Sequence, residues 1–579
     1  MGAVTVRVPS MTRRRDGLPR DLLLCFVLAI VPLLWRAIVG EAVRPNDDSW
    51  AYERILRTFI TTNSIELIDW NDITLVGVLP IGRLWSELFG FGTVQLRLLG
   101  SVMAFLALVG LRSILVQLGA GHIPLAIACM GVASGFMTTT GTFMADNFAL
   151  APSLWAVSVT LTAIGCARAG QHWRSLMYCG LGAMLAFSAF SVRQQAVSAA
   201  VVVVVLLLRY RTALLHGWAV FVAIYALVAG GFYIWRSSLE YGGGVNVAIN
   251  SRLIVTGGVV MVATLMFTVT PLLLWGFSYE RFRRYRSLRL AAVVCSIGII
   301  GVAPLRGRVD DYSSVLRHAS EHPISVWFVV ALAASVAVSS AVLLASALGA
   351  SGGVTGADSD SALGAIVAGF VATLSLDLVS LLLSSTYYSR YSLFSTALLL
   401  AALALALRMS PSTQAEPAEP LRRAVGWGGL GILAVANLWA FDASIAPARA
   451  LEEAAELAQC AGIPPEEVDA GIPWMGSYAT GNSVSQFRTA RSIVDGLPAT
   501  EQRQIFPDAV RNAVVLDADP VDAANIAGEV VAVGPFVSTG ILPGTSAQRW
   551  MFVREQDVDA IKRCVELNES TVVIIWGEG

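Results

Sequence analysis

The chain has 579 residues, 55% of them hydrophobic and 14% charged, with a formal net charge of −1 and a mean hydropathy of +0.66. These values exclude an ordinary soluble domain of this length, because lipid has to solvate most of such a chain. Lys562 is the only lysine, which reads as the mark of a GC-rich genome. Without a basic stripe interleaved with aromatics, the composition speaks against a nucleic-acid partner.

Residues 1–20 form a basic N-terminal segment ahead of the first apolar run, which starts near Asp21 and ends near Gly40. No small-residue cleavage site follows it, so it reads as an uncleaved signal anchor. Further apolar runs fall near 97–118, 123–141, 148–168, 175–192, 195–209, 214–235, 253–276, 288–304, 324–349, 362–384, 392–408 and 425–441. With the first they make about thirteen stretches of roughly 17–25 residues, each able to cross the hydrocarbon as a helix. The expected fold is therefore an α-helical polytopic membrane protein with a membrane domain over 21–441.

Arginines mark the cytoplasmic loops of such a protein. Arg13 to Arg15, Arg168 with Arg174, Arg209 with Arg211, the cluster from Arg281 to Arg289, and Arg408 with Arg422 and Arg423 fall on one side of the alternation. That places the N-terminus in the cytoplasm, the chain in a plasma (inner) membrane, and everything after residue 445 outside. The order requires 175–192 and 195–209 to be two helices, since one kinked helix would invert every later span.

Two regions break the spanning pattern. Residues 41–96 carry too many charges to cross a bilayer but keep helical apolar spacing, so they are expected to form surface helices on the outer side. Residues 445–579 are long enough for a small extracytoplasmic α/β domain. Its runs VRNAVVLDAD, GEVVAVGPFVS and TVVIIWG read as strands, and LEEAAELAQCAG and VDAIKRCVEL as helices. The segments SGGVTGADSDS at 351–361 and SPSTQAEPAEP at 410–420 read as cytoplasmic connectors.

The residues able to do chemistry gather in the outer turns. Asp47 and Asp48 stand side by side after the first span, where each raises the other's proton affinity; a solvated loop would also hold them. Asp146, in TTTGTFMADNFALAPSLW, sits at a membrane boundary, as a functional acid or as the cap of the following helix. Arg193, beside Gln194 and Gln195, and Arg390, among Tyr387, Tyr388 and Tyr391, lie outside against the charge rule. A lipid phosphate or a carboxylate would account for them, as would snorkelling to headgroups. His318, Glu321 and His322 have helical spacing, yet such a pair is more often a solvated face than a metal site. The glycines at 242–244 precede no strand and helix and read as a turn.

In this order, NDDSWAY, LFGFGTVQLRLLGS, FMADNFAL, SVRQQAV and YYSRYSLF resemble the GT-C class of bacterial membrane glycosyltransferases. That class is related to the dolichyl-phosphate-mannose protein mannosyltransferases and the lipid A aminoarabinose transferases. The resemblance spans most of residues 20–410, although a threonine more usually precedes the aspartate of the FMADN motif. It implies a polyprenyl-phosphate sugar donor, inversion at the anomeric carbon, and a glycan, lipid or protein acceptor in the cell envelope. Asp47 or Asp48 would be the catalytic base, with the other orienting the acceptor or the base, Asp146 would be a further catalytic residue, and Arg390, Arg193 and Tyr391 would bind the donor phosphate. A divalent cation (Mg or Mn) stays open, because some relatives use one and others do not. A lipid-linked sugar transporter or flippase, or a noncatalytic envelope-assembly protein, is the alternative.

Of seven cysteines, only Cys460 and Cys564 fall in the tail. An oxidising compartment and an even count pair them in a disulfide closing a loop of about a hundred residues.

Overall fold

The computed structural model describes residues 17–40, 49–67, 75–214, 216–239, 251–276, 340, 343–344, 357–383, 389–409, 419–470, 474, 478, 513–516, 530–539, 541–542, 545–567 and 573–576. Its helices, in chain order, begin with α1 (Leu18–Val39), α2 (Ser49–Thr62), α3 (Val78–Phe89), α4 (Thr93–Leu118), α5 (Ile123–Gly131), α6 (Ser134–Thr139), α7 (Ala145–Arg168) and α8 (His172–Val192). There follow α9 (Val197–Arg209), α10 (Arg211–Leu214), α11 (Gly217–Ser237), α12 (Ser251–Gly276), α13 (Ala357–Leu383), α14 (Leu393–Met409) and α15 (Glu419–Cys460).

Among the described residues, eight helices are long and apolar enough to cross a membrane, and the apolar helices Gln194–Arg209 and Met261–Trp275 are shorter. The chain is a multi-pass helical membrane protein. The expected spans at 288–304 and at nearly all of 324–349 lie outside the described residues, as do Asp47, Asp48, His318, Glu321 and His322. α8 and α9 are two separate helices, joined through Arg193 in extended conformation (φ −148°, ψ 127°) and a 3-10 turn over Gln194–Ala196.

The bundle is densest where the site forms. In α14 with its leading turn, 83% of the apolar window is buried, against 11% for α11, so the former is central and the latter peripheral. Close approach is set by glycine: a Cβ on Gly100 of α4 would lie 2.0 Å from the Thr142 carbonyl oxygen, so only glycine lets this helix pack against the loop that leads into α7. At one end of the bundle Arg112 donates to Asp21 at 2.9 Å and Arg408 donates to the Gly119 carbonyl. The opposite end collects the C-termini of α1, α8 and α13 and the N-termini of α4, α7, α9 and α14.

Two expectations need correction. The run 123–141 is not one span but α5 and α6, broken at Val132 and Ala133. A break frees backbone carbonyls that hydrocarbon cannot satisfy. Here Asn437 Nδ2 donates to the Val132 carbonyl at 2.7 Å, and at the other end of α6 Arg36 Nη2 donates to the Thr138 carbonyl at 3.0 Å. The last span, expected over 425–441, continues through 445 into the tail as the 42-residue α15. At 1.5 Å per residue it is roughly 63 Å long, about twice the hydrocarbon thickness, so about half of it stands clear of the bilayer.

That projecting half carries a second hydrophobic core, in which Ala450, Ala454, Leu457 and Ala458 meet Val531, Val533, Met551 and Val553. The strands β1 (Val468–Asp469), β2 (Ala513–Leu516), β3 (Val530–Thr539), β4 (Ser546–Arg554) and β5 (Val573–Trp576) form one sheet in the order β1-β2-β4-β3-β5. β1 and β2 are parallel and the other neighbours antiparallel, with Val515 opposite Met551 and Val533 opposite Ile574. α16 (Val558–Leu567) packs beside α15, and Cys460 and Cys564 are joined in a disulfide with Cα atoms 6.0 Å apart.

Candidate functional site

Asp146 lies in the first turn of α7, after Met144 in extended conformation. Free N–H groups at a helix start favour a negative charge there. The carboxylate turns toward another segment: Arg193 Nη1 donates to Asp146 Oδ1, and the two side chains are buried. Arg193 holds this direction because Val192 ends α8 and its own backbone is extended. Its Nε donates to Gln195 Oε1 at 2.8 Å, and Gln195 Nε2 donates to Ser380 Oγ at 2.7 Å on α13.

Arg390 approaches the same carboxylate from the 3-10 turn Ser389–Ser392 at the head of α14. Its Nε is 3.9 Å from Asp146 Oδ2, an oxygen that is buried and has no hydrogen-bond partner among the described residues. Tyr391 stands between the two cations, its ring centroid 4.5 Å from Arg193 Cζ and 5.8 Å from Arg390 Cζ. Gly135 of α6 presses on this turn, since a Cβ there would be 2.7 Å from the Arg390 backbone nitrogen. Asp146, Arg193, Arg390 and Tyr391, distant in sequence, are thus brought together. Of the predicted site residues, only Asp47 and Asp48 fall outside the described residues; the next residue, Ser49, is buried at the start of α2.

Three polar groups near this end escaped sequence reasoning. Asp377 on α13 accepts from Ser395 Oγ on α14 and is buried; a single acid within an apolar run is a signal that could have found it. Glu53 on α2 is 6% exposed, with Oε2 accepting from Thr93 Oγ1 at 2.9 Å. Burial pushes its carboxyl up to about 7, against the opposing pulls of the Thr93 hydrogen bond and of the Arg97 and Arg57 charges. Arg97, on α4, is 1% exposed. Only its place at the edge of an apolar run hinted at a role.

Among the described residues no group of three or more His, Cys, Asp or Glu side chains could hold a metal ion. The site is a buried carboxylate hydrogen-bonded to one guanidinium and 3.9 Å from a second, beside a tyrosine. Guanidinia so oriented can receive a phosphate through paired N–H donors, and the carboxylate keeps them in place.

No family model matches the sequence, and no curated protein matches it. Among solved structures the chain is similar to ArnT from Cupriavidus metallidurans. With the apo state it shares 13% identity at a TM-score of 0.36, over 95% of this chain and 99% of that one. With the form bound to undecaprenyl phosphate it shares 13% identity at a TM-score of 0.34, over 93% of this chain and 98% of that one. At such identity and TM-score, the chemistry of the site has to be read from this chain's own residues.

Proposed function

We propose that the chain is an inverting glycosyltransferase that moves a sugar from a polyprenyl-phosphate donor to a cell-envelope acceptor on the extracytoplasmic face. The observation that carries this reading is the convergence of Arg193, Arg390 and Tyr391 on the buried Asp146 at one end of the bundle. Outer-side arginines need an anion, and a lipid phosphate meets them at the height where the helices end. The motif resemblance and the arginine-rich opposite loops support the same orientation.

In the reaction, an acceptor hydroxyl attacks the anomeric carbon and the bond from that carbon to the phosphate oxygen breaks. Polyprenyl phosphate leaves with the electron pair. Its growing negative charge is met by Arg390 and Arg193, which Asp146 orients. The acceptor's proton passes to the carboxylate of Asp47 or Asp48, the only adjacent acidic pair on the same loop. Were a divalent cation, Mg or Mn, required, that pair would be the place to hold it.

Turnover of the purified chain with a polyprenyl-phosphate sugar tests the reading. Asp47→Asn or Asp48→Asn is expected to abolish transfer with folding intact, and full turnover in both would overturn the assignment of the base. Arg390→Ala is expected to weaken polyprenyl-phosphate binding and to lower kcat by roughly a hundredfold or more. Arg390→Lys should restore only part, since an ammonium lacks the paired donors. Unchanged affinity in the Ala variant would leave Arg390 a headgroup anchor.

The break between α5 and α6 favours a second reading, a lipid-linked sugar transporter, because transporters use discontinuous helices at their binding sites. Transfer in detergent, where there are no two sides, excludes it; movement across vesicles without any product would favour it.

A further inference from the structure

Asp442 lies on α15, at the level where that helix passes the C-terminus of α1, and is fully buried. Three donors converge on its carboxylate. Trp35 Nε1 of α1 donates to Oδ1 at 2.8 Å. The Leu542 backbone N–H, at 2.8 Å, and Thr545 Oγ1, at 2.6 Å, both donate to Oδ2. The last two belong to the connection between β3 and β4, so one charge fastens the sheet to two helices of the bundle.

The same two helices also hold the broken segment. Arg36, next to Trp35, places its guanidinium 4.8 Å from the ring centroid of Phe441, next to Asp442, and donates to the Thr138 carbonyl at 3.0 Å. Asn437, one turn earlier on α15, donates to the Val132 carbonyl at 2.7 Å. Val39, Met137, Phe441 and Ile445 close a small separate hydrophobic cluster around these bonds. Beyond it, Gly135 of α6 abuts the backbone of Ser389 and Arg390. From the sheet to the phosphate-facing arginine there is one continuous series of contacts, and Asp442 is its first charged member.

We infer that Asp442 is a positioning residue that couples the seating of the C-terminal sheet to the shape of the arginine site, acting through α1, α15 and α6. Asp442 touches none of the site residues. When its carboxylate is fully bonded, α1 and α15 are locked side by side, and the Val132 and Thr138 carbonyls on either side of Gly135 keep the donors that fix it against Arg390. Releasing the sheet lets α1 and α15 part, and the Arg390 turn loses its support. The coupling itself is independent of the proposed function; only its effect on phosphate binding rests on that reading.

Hydrogen exchange on the full chain in nanodiscs tests this, because the Leu542 amide is itself one of the three donors. Asp442→Asn removes the charge and sets an amide group against donors. Exchange at Leu542 and Thr545 is expected to rise about tenfold or more. Exchange at Met137 and Thr140, which bond within α6 and its flanks, should rise with it. Affinity for polyprenyl phosphate should fall, and Asp442→Glu should restore part of each effect, which a loss of general stability would not do. Trp35→Phe removes one donor and leaves the sheet's two in place. It should loosen the α6 amides more than Leu542, and it decides the matter if Asp442→Asn does not fold. Release of Leu542 without change at Met137 and Thr140 would overturn the coupling, as would no release at all. If the unaltered chain binds no polyprenyl phosphate, the functional reading fails while the exchange data still decide the coupling.

Discussion

Glu53 offers a direct test of how burial and charge balance at the site end of the bundle. Its side chain is 6% exposed, one carboxyl oxygen accepts from Thr93, and the other is buried without a donor among the described residues. Burial therefore outweighs Thr93, Arg97 and Arg57, and moves the group from 4.5 to about 7. The difference of about 2.5 pH units corresponds to about 3 kcal/mol at 1.36 kcal/mol per unit. The sign follows from linkage: a carboxyl raised in the folded state gives stability that is full below 4.5 and is lost as the pH climbs through about 7. Glu53→Gln keeps the shape and an acceptor for Thr93 but cannot ionise. It should match the unaltered protein at about pH 4.5 and exceed its stability by up to about 3 kcal/mol at about pH 8. Unfolding of the full chain in nanodiscs at both pH values measures the difference, and infrared titration of labelled glutamate locates the protonation directly. An identical difference at the two pH values, or a Glu53 that titrates near 4.5, would refute the reasoning.

Two further outcomes follow from packing and covalent structure. Gly100→Ala would drive a Cβ to 2.0 Å from the Thr142 carbonyl, whereas Gly165 has nothing within 4 Å. Gly100→Ala should destabilise by at least about 1–3 kcal/mol and Gly165→Ala should stabilise slightly; thermal denaturation that ranked them equally would contradict the packing of α4 on the loop before Asp146. Opening the disulfide between Cys460 and Cys564, 104 residues apart, should cost the C-terminal sheet about 4–5 kcal/mol in the chain-entropy model. Because that sheet has its own core, proteolysis should increase there first and most; alkylation of both thiols without prior reduction would rule the bond out.

Most of the helical framework is legible in the amino-acid sequence, for a physical reason. In lipid each backbone N–H must bond within its own segment, so an apolar run of sufficient length becomes a helix whatever its neighbours do. The expected runs 97–118 and 148–168 are α4 (Thr93–Leu118) and α7 (Ala145–Arg168), and the Arg193 turn separates α8 from α9. In the tail, three of the strands follow from their Val and Ile content. β4 (Ser546–Arg554) is not legible locally, since its apolar residues cluster toward one end and its partners on β2 and β3 supply the pairing. Asp146, Arg193, Arg390 and Tyr391 were each visible as polar or aromatic groups where an outer turn should be. Nothing local could say that they meet: Asp146 and Arg193 are 47 residues apart, and the bond from Trp35 to Asp442 spans 407. The break between α5 and α6 has the same origin. The carbonyls left open at the break and at the far end of α6 are met by Asn437, 305 residues from Val132, and by Arg36, 102 residues from Thr138. Local sequence determined which segments enter the membrane; tertiary structure alone decided which helix could break and which charges found one another, because the partners that make those features affordable come from the rest of the fold.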